Sequence, residues 1–251
     1  MRLLAPLASG SSFLGRRNPV AKLGGAFGLV FVLVVAADPV TALVALAGVL
    51  AAVPLFGIRY GALARRLLPL LFAAFGVFVV TLLFTTRRDE ALWTAAGMSL
   101  RLVAMALPGV LAFASTDPTD LADALVQQAR VPARFAIGAL AAWRLAPLLA
   151  ADWEALTLAR RARGIDAGWN PVARIHLFAG TTFALLVGAI RRGTRLAAAM
   201  DARAFDAGHS RTVARPQPFG AADAALVVAC VALGVLAVTL SVALGTFRPL
   251  F

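Results

Sequence analysis

Asp117, Asp120 and Asp123 recur every three residues, a spacing that sets Asp120 and Asp123 on one helix face. Three carboxylates so placed could hold a magnesium–diphosphate pair, the chemistry of a membrane enzyme acting on an isoprenoid or lipid diphosphate. The same residues also read as the start of a helix. Asp117 fits an N-cap, Pro118 fits the first helical position where a missing N–H costs nothing, and Asp120 falls in the first turn beside the positive end of the dipole. The helix start accounts for Asp117 and Asp120 by position, and no second aspartate-rich motif completes a metal site. His176 and His209 stand alone, without a second ligand at metal spacing. No G-x-x-x-x-G-K-[ST] loop is present to cradle ATP. Cys230, the single cysteine, lies in an apolar run and so excludes an internal disulfide and any cysteine-built metal site. No catalytic residue, cofactor or metal site is expected.

A second pattern repeats. Ala162-Arg163-Gly164-Ile165-Asp166-Ala167-Gly168 matches Ala202-Arg203-Ala204-Phe205-Asp206-Ala207-Gly208 forty residues later. Each copy follows a helix-prone run, Trp153 to Ala159 before the first and Arg195 to Met200 before the second. Arginine near a last turn complements the negative end of a helix, and Gly164 suits the left-handed position just beyond it. Taken singly, each copy is an ordinary capped helix end. Taken together, they present two guanidinium groups on two exposed tips, suited to acidic pockets on two copies of a partner.

The elements that carry these tips follow from composition. The chain has 251 residues, 61% hydrophobic and only 14% charged, with a mean hydropathy of +0.86. Soluble domains carry about 25% charged residues, so a water-soluble enzyme is excluded. The net charge is +12, and all but one of the 24 basic residues are arginine, Lys22 being the exception. These cations lie between apolar runs, which points to cytoplasmic loops facing anionic lipid or an acidic partner rather than to nucleic acid. Five apolar stretches, about 23–37, 40–56, 67–84, 93–114 and 224–244, approach the roughly 20 residues a spanning helix needs. The opening MRLLAPLASG is too short in its apolar part for a secretory signal. With the N-terminus inside, twenty basic residues fall in the cytoplasm and three outside, with Arg101 in a span. Arg101, near the outer end of its span, is expected to snorkel. Gly24-Gly25 reads as a helix-packing feature. Ile175 to Ile190, flanked by arginines on both sides, reads as half of a helical hairpin, buried against protein or lying at the interface.

The expected fold is an all-α integral membrane protein with about five transmembrane helices, plus long cytoplasmic helices between the fourth and last spans. Its divisions are a four-helix membrane part at 1–116, a cytoplasmic helical module at 117–215 and a final transmembrane helix at 216–251.

The sequence resembles the transmembrane T component of energy-coupling factor (ECF) transporters, the EcfT/CbiQ family. The resemblance is carried by Asn18-Pro19 with Lys22-Leu23, Thr116-Asp117-Pro118 with Asp120-Leu121, Trp143-Arg144-Leu145-Ala146-Pro147 and, most specifically, the two Ala-Arg-Gly signatures. It implies that Ala162-Arg163-Gly164 and Ala202-Arg203-Ala204 end two coupling helices, each docking on one of two ABC-type ATPase subunits. It implies further a membrane-embedded substrate-binding S component, uptake of a vitamin or transition-metal ion such as cobalt, and residence in the bacterial cytoplasmic membrane. ATP hydrolysis would belong to the partners, and this chain would be a non-catalytic subunit. Ala204 stands where the family usually has glycine, and alanine disfavours a positive φ by roughly 1 kcal/mol.

Overall fold

A computed structural model of the chain describes residues 15–36, 38–57, 60–85, 91–205 and 212–247. The opening ten residues, Arg59, Arg87 to Glu90, Asp206 to His209 and Arg248 lie outside the described residues. The described residues are helical almost throughout: α1 (Pro19–Val34), α2 (Pro39–Ala52) with a 3₁₀ turn Val53–Phe56, α3 (Tyr60–Phe84), α4 (Ala91–Ala114), α5 (Pro118–Gln127), α6 (Ala133–Ala162), α7 (Pro171–Asp201) and α8 (Ala221–Ala243). The chain is an all-α integral membrane protein. In lipid every backbone N–H and C=O must be satisfied within its own segment, which helices alone achieve here.

Four of these helices begin with the same two-residue device. Asn18-Pro19, Asp38-Pro39, Asp117-Pro118 and Asn170-Pro171 each pair a capping oxygen with a proline at the first helical position. The side-chain oxygen accepts a first-turn N–H from Val20 (2.9 Å), Thr41 (2.7 Å), Thr119 (2.7 Å) and Val172 (3.0 Å) respectively. Each such cap stabilises its helix by about 1 kcal/mol. The helix start read at Asp117 is therefore present, and three more share its form.

The membrane-capable helices differ in part from the five apolar stretches. Among the described residues, α3 from Leu67 onward, α4, α6, α7 and α8 are long and apolar enough to cross a membrane. α1 and α2 have 16 and 14 residues, and at 1.5 Å per residue the longer spans only about 24 Å. α1 ends at Val34, ahead of the Asp38-Pro39 start of α2, and α2 gives way after Ala52 to the 3₁₀ turn at Val53–Phe56. The stretch 175–190 is the middle of one uninterrupted 31-residue helix, α7. Among the described residues only Thr181 of α7 is buried, so of the two expected settings for this segment the one against protein is limited to that residue.

The chain forms two compact units, residues 1–130 with 216–251, and residues 131–215. α5 belongs to the first, whereas composition groups it with the segment that follows. In the first unit α1 packs on α8 and α4, α2 on α4 and α8, and α3 on α4, around Leu29, Leu33, Val49, Leu63, Leu107 and Leu111. Small residues let these helices approach closely. A Cβ on Gly25 would stand 3.0 Å from Cys230 Sγ, and one on Gly28 would stand 2.8 Å from Val231 Cγ2. The glycine pair read as a packing feature is one at Gly25. Asp38 is fully buried; its carboxylate accepts the Thr41 N–H, the Thr41 hydroxyl at 3.0 Å and the Ser241 hydroxyl at 2.7 Å, joining the start of α2 to the end of α8. Arg101 donates to the Val34 carbonyl at 2.8 Å, so its charge rests on the negative end of α1.

The second unit is the antiparallel pair α6 and α7. Trp153 and Phe178 meet with ring centroids 5.4 Å apart, Arg192 pairs with Asp152 at 2.5 Å, and Arg160 donates to the Leu177 carbonyl at 2.8 Å and to the Thr181 hydroxyl.

The glycine contacts yield a stability test. Gly28→Ala should destabilise the protein by about 1–3 kcal/mol, because Val231 has a stiff branched side chain and the backbone must move. Gly76→Ala in α3, with nothing within 4 Å of the new methyl, should leave stability unchanged or raise it slightly. Thermal unfolding in detergent, compared across both variants, checks the pair.

Candidate docking site

The repeated signature occupies two helix ends of the same hydrogen-bonded shape. At the end of α6, Ile165 N–H donates to the Arg160 carbonyl at 3.0 Å and Gly164 N–H to the Arg161 carbonyl at 2.9 Å. At the end of α7, Phe205 N–H donates to the Met200 carbonyl at 3.1 Å and Ala204 N–H to the Asp201 carbonyl at 2.9 Å. Both are Schellman ends, a six-residue bond enclosing a four-residue one. In both the arginine sits at the last position before the chain turns left-handed. Gly164 has φ +73°, and Ala204 adopts the same region at φ +56°. Alanine therefore accepts the strain that its type foretells, and the second tip keeps the geometry of the first.

All six signature residues, Ala162, Arg163, Gly164, Ala202, Arg203 and Ala204, are exposed. Among the described residues no hydrogen bond or ion pair engages the guanidinium of Arg163 or Arg203. Some nearby arginines are engaged within the chain, whereas Arg161, Arg191 and Arg195 are exposed as the two tips are. Arg160 and Arg192 hold α6 to α7, and Arg174 donates to the Gly168 carbonyl at 3.1 Å, bracing the α6–α7 turn. The chain thus uses some arginines as internal staples, while the two at the repeated position are exposed and unengaged among the described residues. The tips stand at opposite ends of α7, whose 31 residues span about 45 Å.

Two of the three aspartates have partners within the chain. Asp117 caps α5, and Asp120 accepts from Gln217 Nε2 at 3.3 Å. Among the described residues no group of three or more His, Cys, Asp or Glu is arranged to hold a metal ion, and these three form none. His176 is exposed on α7.

One polar cluster escapes a reading based on spacing. The chain has three glutamines, and all three meet. Gln217 N–H donates to Gln127 Oε1 at 2.8 Å, and the Gln217 carbonyl accepts from Gln128 Nε2 and, at 3.2 Å, from Asn18 Nδ2. Asn18 N–H in turn donates to Asp223 Oδ1 at 2.9 Å, while Asp223 Oδ2 accepts from Gly220 N–H at 2.9 Å. Lys22 Nζ, buried beside this cluster, donates to the Gly15 and Ser115 carbonyls at 2.8 and 2.9 Å. These bonds fasten the segment that leaves the first unit after α5 to the segment that re-enters it before α8. The only sequence signal was the scarcity of glutamine itself.

Comparison with known proteins places relatives beside this geometry. A family model described as cobalt transport protein, CbiQ, matches residues 10–213. A curated relative from Exiguobacterium sibiricum, named energy-coupling factor transporter transmembrane protein EcfT, is 32% identical over 254 residues, covering 92% of this chain and 95% of the relative. Proteins of the same name from Acidaminococcus fermentans and Staphylococcus aureus are 28% and 27% identical, covering 90% and 80% of this chain and 92% and 83% of their own lengths.

The two helix ends predict opposite responses to complementary substitutions. Ala204→Gly should stabilise the end of α7 by roughly 1 kcal/mol, and Gly164→Ala should destabilise the end of α6 by a similar amount. Amide hydrogen exchange at residues 200–205 and 160–165 reads each change locally.

Proposed function

We propose, because this chain belongs to the CbiQ family, that it transmits ATP-driven motion of two ABC-type ATPase subunits to a membrane-embedded S component. Its coarser role, transmembrane component of an ECF-type transporter, fits a non-catalytic subunit. In the proposed mechanism each ATPase subunit receives one tip: Arg163 enters an acidic pocket on one subunit and Arg203 the equivalent pocket on the other. Closure of the ATPases on ATP displaces both tips, and the stiff helices α6 and α7 carry that displacement to the S component, which releases a vitamin or transition-metal ion inward. The carrying observation is the pair of exposed helix ends with matching hydrogen bonds, each presenting an arginine with no partner among the described residues. A distance of about 45 Å between tips suits two separate subunits rather than one pocket. The distribution of basic residues supports a cytoplasmic N-terminus and a cytoplasmic position for both tips, in a bacterial inner membrane.

Co-expression with the ATPases and the S component tests this reading. Arg163→Glu or Arg203→Glu should weaken ATPase co-purification, and the double variant should abolish it, since a carboxylate against an acidic pocket reverses the sign of the contact. Full co-purification by the double variant would refute the docking. The proposed topology has its own check. In a Cys230→Ala background, Arg163→Cys and Arg203→Cys should both react with a membrane-impermeant maleimide applied from the cytoplasmic side. Reaction from opposite sides would place the tips across the bilayer from one another and overturn the mechanism.

A further inference from the structure

The first unit contains a cavity of about 450 Å³ between α1, α2, α4 and α8. Its wall is aliphatic apart from Cys230 and one charged residue, Lys22. The cavity runs along α8 from Ala222 to Leu233, about 16 Å at the helical rise. Ala225 and Ala229, on its α8 wall, are exposed, so it opens sideways. A lateral opening in a membrane protein meets lipid chains, and an apolar wall of this length offers water no partners.

Lys22 marks the other requirement. Its side chain is 5% exposed. An ammonium group carries three N–H donors, and two of them are taken, by the Gly15 and Ser115 carbonyls. Among the described residues no carboxylate pairs with it. Asp223 is held by the N–H groups of Asn18 and Gly220, and Asp120 by Gln217. Asp120 and Asp223 lie near enough to offset part of its charge, yet a buried cation with no carboxylate in contact remains costly. The N-termini of α1 and α8, joined through Asn18 and Asp223, lie at the same end of the cavity and add positive potential there.

We infer that this cavity is a binding site for an anionic amphiphile: one hydrocarbon chain lies along α8, and its acidic headgroup meets the remaining Lys22 donor. A free fatty acid and one chain of an acidic phospholipid share this chemistry. The inference concerns the first unit alone and does not depend on the tips of α6 and α7.

Photoactivatable probes test it on the full chain in nanodiscs. Three are compared: a fatty acid, a phosphatidylglycerol and a phosphatidylcholine, each with the reactive group in the chain. The site predicts adducts on α8 and α2 from the fatty acid, the phosphatidylglycerol or both, with the phosphatidylcholine at least about tenfold weaker; which acidic probe labels identifies the source. Ala229→Phe, a substitution at an exposed wall position that fills the groove, should remove these adducts while leaving thermal stability intact. Lys22→Gln should level the acidic and zwitterionic probes without removing chain labelling. Equal labelling by all three probes in the unsubstituted chain would overturn the inference. So would adducts that survive Ala229→Phe, or an absence of adducts with ATPase or S-component co-purification lost on that substitution, which would make the groove a protein interface.

Discussion

The hydrogen bond from Asn18 to Asp223 joins residues 205 positions apart, and the membrane unit depends on it. That unit is built from two separated pieces of chain, so its last helix must find its first without a covalent guide. Asp223 does this by accepting one N–H from the start of α1 and another from its own Gly220. Both acceptances occur in a buried setting, where an unmet carboxylate would be expensive. With the helix starts registered, Gly25 and Gly28 fall opposite Cys230 and Val231, and α1 and α8 close to a separation that any larger residue would prevent. At the far end Asp38 repeats the logic, holding Ser241 of α8 to the start of α2. Two buried carboxylates, one near each end of α8, thus set its position along the bundle.

Arginine plays three separate parts in this chain. Arg101 rests on the carbonyl end of α1, Arg160 and Arg192 bind α6 to α7, and Arg163 and Arg203 are exposed with no partner among the described residues. The division follows from geometry rather than residue type. Arg160 in the last full turn of α6 reaches back to α7, whereas Arg163, three residues later where the chain turns left-handed, is exposed.

Much of this was legible from residue order. Apolar content and scarce charge indicated an α-helical membrane protein, Asp117-Pro118 marked a helix start, and Gly164 marked a left-handed helix end. These are local features whose physics acts within a few residues. Helix bounds were less accessible, because α1 begins at the Asn18 cap ahead of its apolar stretch and α2 passes into a 3₁₀ turn at Val53 with no loss of apolar residues. The continuity of α7 was hidden by arginines on both sides of 175–190, which suggested boundaries that the helix runs through. The glutamine cluster was beyond reach, since Gln127 and Gln217 are 90 residues apart and neither lies in a recognisable motif. Arg101 had two outlets, solvent and a helix end, and only packing decides between them.

The excursion from 131 to 215 leaves and rejoins the membrane unit at a single tie, formed by Gln127, Gln128 and Gln217. An element with adjacent roots is topologically an insert. Its replacement by another of different length or shape needs no new pairing elsewhere, provided the roots keep their spacing. Recombination could therefore exchange the α6–α7 insert in one step while the helix pairings of the first unit stay as they are.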